Sequence, residues 1–368
     1  MTAPALRHTY RWDLDKTYLR TEFDTLGSLI RTAFEKPADK RAVPGAPALM
    51  RALVAAGAGA HRICILSGSP RQLSRVVAAK LALDGVTADE LVLKPNLSNA
   101  LRGRFRALRD QVGYKLPALL ESRIGAAAPG ETLFGDDAES DALTYCLYAD
   151  LLAGRVTQRE LGRVLDAANA YPDVRARTLD LAARVPGGDA VQRILIHLEG
   201  RSPTAPFEHY GARVVPVFNY FQAALVLYQD RHLDAGAVLG IAREMLASGE
   251  HSLDTLANSL QDLIRRGRLS IKTALALGEE SMPLGSSLAE LAPQSEIART
   301  FTARVRALGA LPAAPPAADA PLLDYPALVA ADVARRRDAK RSRDAKRSRD
   351  AKRSRDAKRS RRQDPDHR

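Results

Sequence analysis

Aromatic side chains supply only 5% of this 368-residue chain, with a single tryptophan, and cysteine is nearly absent: Cys64 and Cys146 are the only two. Two thiols lying inside apolar runs exclude a small disulfide-stapled secreted scaffold; they fit buried thiols in a reducing compartment. No apolar run approaches the ~20 residues that a membrane-spanning helix needs. The first residues, Met1 to His8, lack the apolar core of a secretory signal. The seven histidines are scattered without metal-ligand spacing, so His61 and His197 are expected to be structural. These absences predict a cytoplasmic protein, and the 46% hydrophobic content is ample for a buried core.

Charge is present in excess, but unevenly. The formal net charge is +12, yet from Ala331 onward there are 17 lysines and arginines against seven aspartates, a surplus of ten. The first 330 residues therefore carry only about +2. The excess comes from four perfect copies of Arg-Asp-Ala-Lys-Arg-Ser at 337–342, 343–348, 349–354 and 355–360. Alanine is their only apolar side chain, so they cannot build a core, and 337–368 is expected to be a disordered basic tail. Basic residues over 337–362 suit an anionic membrane surface, in peripheral association, or a nucleic acid bound non-specifically. The repeats contain no aromatic residue, so base stacking is not expected.

Short apolar runs alternate with helical periodicity through the first 230 residues. Strands are expected at 10–13, 62–66, 90–94, 132–134, 193–198 and 212–217. Helices are expected at about 20–35, 49–57, 70–81, 97–111, 115–125, 141–152 and 174–184. Ser69 is placed as the cap of the 70–81 helix, with Pro70 in its first turn. Thr157-x-x-Glu160 is a capping box for a further helix. Strand–helix alternation predicts an α/β fold: a Rossmann-like, mostly parallel sheet with helices on both faces. Beyond Phe218 the pattern is purely helical, at about 219–230, 234–247, 252–266 and 269–279. The expected organisation is a domain over 1–232 with a helical insertion at about 153–190. A helical extension over 233–308, an Ala/Pro-rich linker over 309–336 and the tail follow.

Each of several strands ends in a polar group. Asp13-Leu14-Asp15-Lys16-Thr17 follows the first, and two carboxylates there suit either a cation between them or a nucleophile paired with an acid/base. Ser67-Gly68-Ser69-Pro70 follows the second. Lys94 closes the third, and Lys115 stands at a helix start. Gly135-Asp136-Asp137-x-x-x-Asp141 follows the fourth. A parallel sheet gathers such groups at its carboxyl edge, where ligands bind. Type and order of these motifs resemble the haloacid dehalogenase superfamily of phosphohydrolases over roughly residues 9–230. The Ser67 turn, Leu93-Lys94, Lys115-Leu116 and the Asp136 loop are also similar to the phosphatidate phosphatase catalytic domain of lipins and fungal actin-patch phosphatases. That family often has Asp at the fourth place of the first motif, where this chain has Lys16.

The resemblance implies a HAD-like domain and a Mg²⁺-dependent phosphatase. Asp13 would be the nucleophile, forming an aspartyl-phosphate, and Asp15 the acid/base. Mg²⁺ would sit among Asp13, the Asp15 carbonyl and Asp136. Thr17, Ser67, Gly68 and Lys115 would hold the phosphoryl group, with Lys94 the alternative lysine. Asp137 or Asp141 would fix the metal shell or orient the lysine. The short 18–43 segment implies no large cap, leaving room for a phosphorylated lipid as well as a small molecule. The alternative is a non-catalytic adaptor of the same fold, binding membrane or nucleic acid through its tail. The sequence does not specify an oligomeric state.

Overall fold

The computed structural model describes residues 5–20, 40–94, 112–138, 140–200, 202–280, 288–309 and 322–338. The helices expected at 20–35 and 97–111, most of the segment read for a cap, and the repeats beyond residue 338 lie outside these residues.

Among the described residues, six strands form one sheet in the order β3-β2-β1-β4-β5-β6: β1 (His8–Asp13), β2 (His61–Pro70), β3 (Glu90–Lys94), β4 (Gly130–Asp136), β5 (Val191–His197) and β6 (Val214–Val217). Every neighbouring pair is parallel. β1 and β4 are buried along their whole length, as a sheet covered on both faces requires. The chain is therefore α/β with an all-parallel sheet.

Connections put α1 (Ala46–Gly57) and α2 (Ser74–Leu83) on one face, where Leu49, Leu53, Val77 and Leu81 meet Tyr10, Trp12, Ile63 and Ile65. The chain then changes sides. α3 (Val112–Gly125), α4 (Asp141–Leu152), α5 (Gln158–Ala167) and α6 (Pro172–Arg184) cover the other face, with Leu116, Leu119, Leu147 and Leu161 packed against Leu133, Ile194 and Ile196. β1 and β4 are neighbours although their crossovers lie on opposite faces. That is the topological switch point at which open α/β sheets bind ligands.

α7 (Tyr220–Gln229) returns to the first face, and α8 (Ala235–Ala247), α9 (Leu253–Arg265), α10 (Ile271–Glu280) and α11 (Leu288–Ala307) stack upon it. Val238, Leu260, Leu277 and Phe301 belong to the same buried cluster as Tyr10 and Trp12, so the 233–308 extension shares the core of the sheet. The capping box forms as expected, with Thr157 Oγ1 accepting from the Glu160 amide.

Two expectations need correction. Ser69 and Pro70 continue β2 and do not open a helix; the helical cap falls at Leu73, with no side-chain bond. Residues 325–338, assigned by composition to the linker and the start of the tail, form a helix whose Tyr325 and Val329 are buried in the second core. Among the described residues, no helix is long and apolar enough to cross a membrane.

Candidate active site

Asp13 ends β1 and Asp136 ends β4, adjacent strands of the switch point, so the sheet alone brings these two carboxylates together. Burying them is costly unless opposite charge or hydrogen bonds compensate. Compensation arrives from two helices. Lys115, in the first turns of α3, sets its Nζ 2.8 Å from Asp13 Oδ1 and also contacts Asp141 Oδ1 at the start of α4. Asp141 Oδ2 in turn accepts the Asp136 amide at 3.2 Å. Asp13, Asp136, Asp141 and Lys115 are all fully or almost fully buried. A lysine bonded to two carboxylates in a dry site is held in one place, not swept through rotamers.

The turn after β1 is strained. Lys16 has φ 61°, in the left-handed region that side chains with a Cβ rarely adopt. Three bonds hold it there. Its amide donates to Leu19 O at 2.8 Å, His197 Nδ1–H donates to its carbonyl at 3.2 Å, and Tyr220 Oη donates to the Thr17 carbonyl at 2.6 Å. A carbonyl only accepts, so the proton of His197 is on Nδ1, and burial lowers the basicity of that ring. Thr17 Oγ1 donates to Asp13 Oδ2 at 3.4 Å. The turn contains no glycine, so the backbone cannot approach a dinucleotide pyrophosphate as a Gly-rich loop does.

Asp15 lies nearer the surface than Asp13 and accepts at one oxygen from two hydroxyls, Ser67 Oγ at 3.0 Å and Ser69 Oγ at 2.9 Å. Ser67 Oγ also accepts the Ser69 amide at 2.9 Å. Extending β2 through Ser69 thus aims both serines at Asp15. A Cβ built on Gly68 meets nothing within 4 Å, so its value would lie in its amide and not in space.

Among the expected site residues, Asp13, Lys115, Asp136 and Asp141 converge, with Thr17 on Asp13 and Ser67 on Asp15. Asp137 does not join them. Its carboxylate accepts the Gly200 and Ser202 amides at 2.9 and 3.1 Å, fastening the loop after β5. Orienting the lysine falls to Asp141. Lys94 ends the edge strand β3, two strands from β1, and Lys115 is the lysine in contact with Asp13.

Three contributors were not anticipated. A Cβ at Gly135 would stand 2.4 Å from Asp141 Oδ2, so this position must be glycine for Asp141 to reach Lys115. Tyr114 Oη donates to the Ser67 carbonyl at 2.7 Å. Tyr220 lies between Trp12 and His197, with ring centroids 5.5 and 5.3 Å away. Gly135 stood within a recognised motif; the tyrosines carried no local signal.

Asp13, Asp136 and Asp141 each offer an oxygen within 4.8 Å of the others. Carboxylate oxygens are the ligands that hard divalent cations take, so the donor set fits Mg²⁺. Asp13 and Asp136 end adjacent strands at the switch point and are the side chains placed to ligate, while Asp141 bonds Lys115 and the Asp136 amide. The site's reading rests on this geometry, because no family model, no curated protein and no solved structure matches the chain.

Proposed function

We propose that the chain is a Mg²⁺-dependent phosphomonoester hydrolase of the haloacid dehalogenase type, acting through an aspartyl-phosphate on Asp13. One observation carries the reading. A buried carboxylate at the end of β1 is paired with a lysine that a second carboxylate holds, beside a third carboxylate at the end of the adjacent strand. Titratable groups gathered at the carboxyl edge of a switch point, where open α/β sheets bind ligands, mark a candidate functional site.

Asp13 attacks phosphorus and the ester oxygen departs, so one difficult displacement becomes two easier ones. Asp15, nearer the surface and bonded to Ser67 and Ser69, gives a proton to the leaving alcohol and then takes one from the water that cleaves the aspartyl-phosphate. Thr17 and Lys115 orient Asp13, and Lys115 offsets charge on the transferring group. Mg²⁺, when bound at Asp13 and Asp136, would offset the repulsion between carboxylate and phosphate.

The substrate class we favour is a phosphomonoester displayed on an anionic surface, such as a phosphatidate-like lipid. The cationic repeats support it, since they begin directly after Arg336, whose guanidinium lies 2.5 Å from Ser140 Oγ beside Asp141.

The test is phosphate release from p-nitrophenyl phosphate and from phosphatidate vesicles, with and without Mg²⁺, for wild type and Asp13→Asn. Metal-dependent turnover that falls at least about a thousandfold in the variant supports the mechanism. Faster release from vesicles than from the soluble ester supports the lipid assignment. Background rates for the wild type on both would favour the adaptor reading.

A further inference from the structure

We infer that the C-terminal helix 325–338 is a brace for the active site, with Asp332 and Arg336 acting as positioning residues through Ser140. Its kinetic consequence rests on the phosphohydrolase reading; the brace itself does not. Ser140 immediately precedes Asp141 and occupies the N-cap position of α4, yet its side chain makes no cap bond. A serine there ordinarily accepts an amide of the first turn. Here the hydroxyl is turned outward. It donates to Asp332 Oδ2 at 2.7 Å and accepts from the Arg336 guanidinium at 2.5 Å. Arg336 Nε closes the triangle on Asp332 Oδ2 at 2.8 Å.

The same helix grips the far end of α4. Tyr325 Oη donates to Asp150 Oδ2 at 2.5 Å, and Tyr325 and Val329 are 2% exposed. Residue 325 thus meets residue 150 and residues 332 and 336 meet residue 140, so the two helices run antiparallel with α4 clasped at both ends. α4 presents Asp141 to Lys115, and Lys115 meets Asp13. A displacement of about 1 Å at such a group costs up to a hundredfold in rate. The Ser140 triangle is where the brace touches the chemistry; the Tyr325 end supplies only its purchase on the fold.

The experiment uses the full-length protein and the variants Ser140→Ala, Asp332→Ala, Ser140→Thr and Tyr325→Phe. Steady-state hydrolysis of p-nitrophenyl phosphate, thermal unfolding and amide hydrogen exchange over 136–144 are measured for each. Expected are a fall in kcat of about tenfold for Ser140→Ala and Asp332→Ala with KM within twofold, and faster exchange over 136–144. Ser140→Thr, which keeps the hydroxyl, recovers most of kcat. Tyr325→Phe lowers the unfolding temperature and leaves kcat within twofold. Wild-type kcat and exchange in both alanine variants overturn the proposal. So does an equal loss of kcat in Tyr325→Phe, which would mark the helix as general support. If the wild type hydrolyses nothing, the phosphohydrolase reading falls by itself, and exchange decides: acceleration over 136–144 in Asp332→Ala supports the brace, and none overturns it.

Discussion

Asp13 and His8, at the two ends of the central strand, solve the same problem in opposite ways. At the carboxyl end, titratable side chains are buried as charges, with Asp13 and Asp141 sharing the Lys115 ammonium. At the amino end, on the face that Tyr10 shares, His8 is buried as a neutral ring, while Arg11 on the other face pairs with Glu131 at 2.8 Å. His8 pairs in register with His61, and His8 and His232 rings lie 4.4 Å apart, with Tyr10 Oη 2.9 Å from His232 Nδ1. Burial, then His232 and His61, push His8 down to about 3, so it stays uncharged. Charges kept in a dry site are available for chemistry and depend on their partners. Neutral rings pack well and fail only when protonated.

Removing one member of the charged set should have the largest effect. Lys115→Met leaves Asp13 and Asp141 facing each other without their cation, which costs about 3 kcal/mol or more. We expect a large drop in the urea midpoint without divalent ions, partial recovery with Mg²⁺, and a loss of hydrolysis of about a hundredfold or more. An unchanged midpoint would mean that the charges are not paired as described. Gly135→Ala tests the same end more gently. Its Cβ would press on Asp141 and move it from Lys115, lowering kcat by roughly tenfold to a hundredfold while the strand pairs persist. Wild-type kcat in this variant would show that Asp141 need not approach so closely.

The neutral end is tested by acid. The folded protein holds His8 unprotonated, whereas the unfolded chain binds a proton below pH 6.5. Above pH 6.5 this residue adds no pH dependence. Stability then falls as pH drops from 6.5 towards about 3, by about 1.4 kcal/mol per unit, or about 2 kcal/mol at pH 5. His8→Asn should flatten the slope between pH 6.5 and 5 in urea titrations. An unaltered slope would assign the acid sensitivity elsewhere.

The contrast also explains what the sequence reveals. The carboxyl end was legible because strand ends recur with Asp13, Ser67 and Asp136, and the last two follow apolar residues that identify their strands. Lys115 and Asp141 could be named from their order in the chain. The direction of each hydroxyl could not. Ser69 carries the signature of a helix cap, and only the extension of β2 from Leu66 to Pro70 aims it at Asp15. Gly135 is needed for a contact six residues ahead, which becomes visible once α4 is placed. At the amino end the three histidines are far apart in sequence, and only the parallel register of His8 with His61 brings two of them together. The 325–338 helix was hidden by the Ala- and Pro-rich stretch before it. Yet Tyr325, Val329, Asp332 and Arg336 recur at spacings of three and four, the periodicity of a helix face.

The smallest predicted effect lies between these extremes, at the turn that hands β1 over to the site. Lys16 sits at φ 61° in a position where asparagine is better tolerated, because a short polar side chain can hydrogen-bond locally. The bonds that hold this turn come from its backbone, through Leu19, His197 and the neighbouring Thr17 carbonyl, so the lysine side chain is dispensable to its shape. Lys16→Asn should therefore raise stability by about 0.5–1 kcal/mol. It should leave kcat unchanged if strain at the turn is merely tolerated. If the strain keeps Asp13 aligned with Lys115, the same variant gains stability and loses rate together. Denaturant midpoints and steady-state rates measured side by side distinguish the two outcomes, and a loss of stability would show that the lysine side chain supports the turn after all.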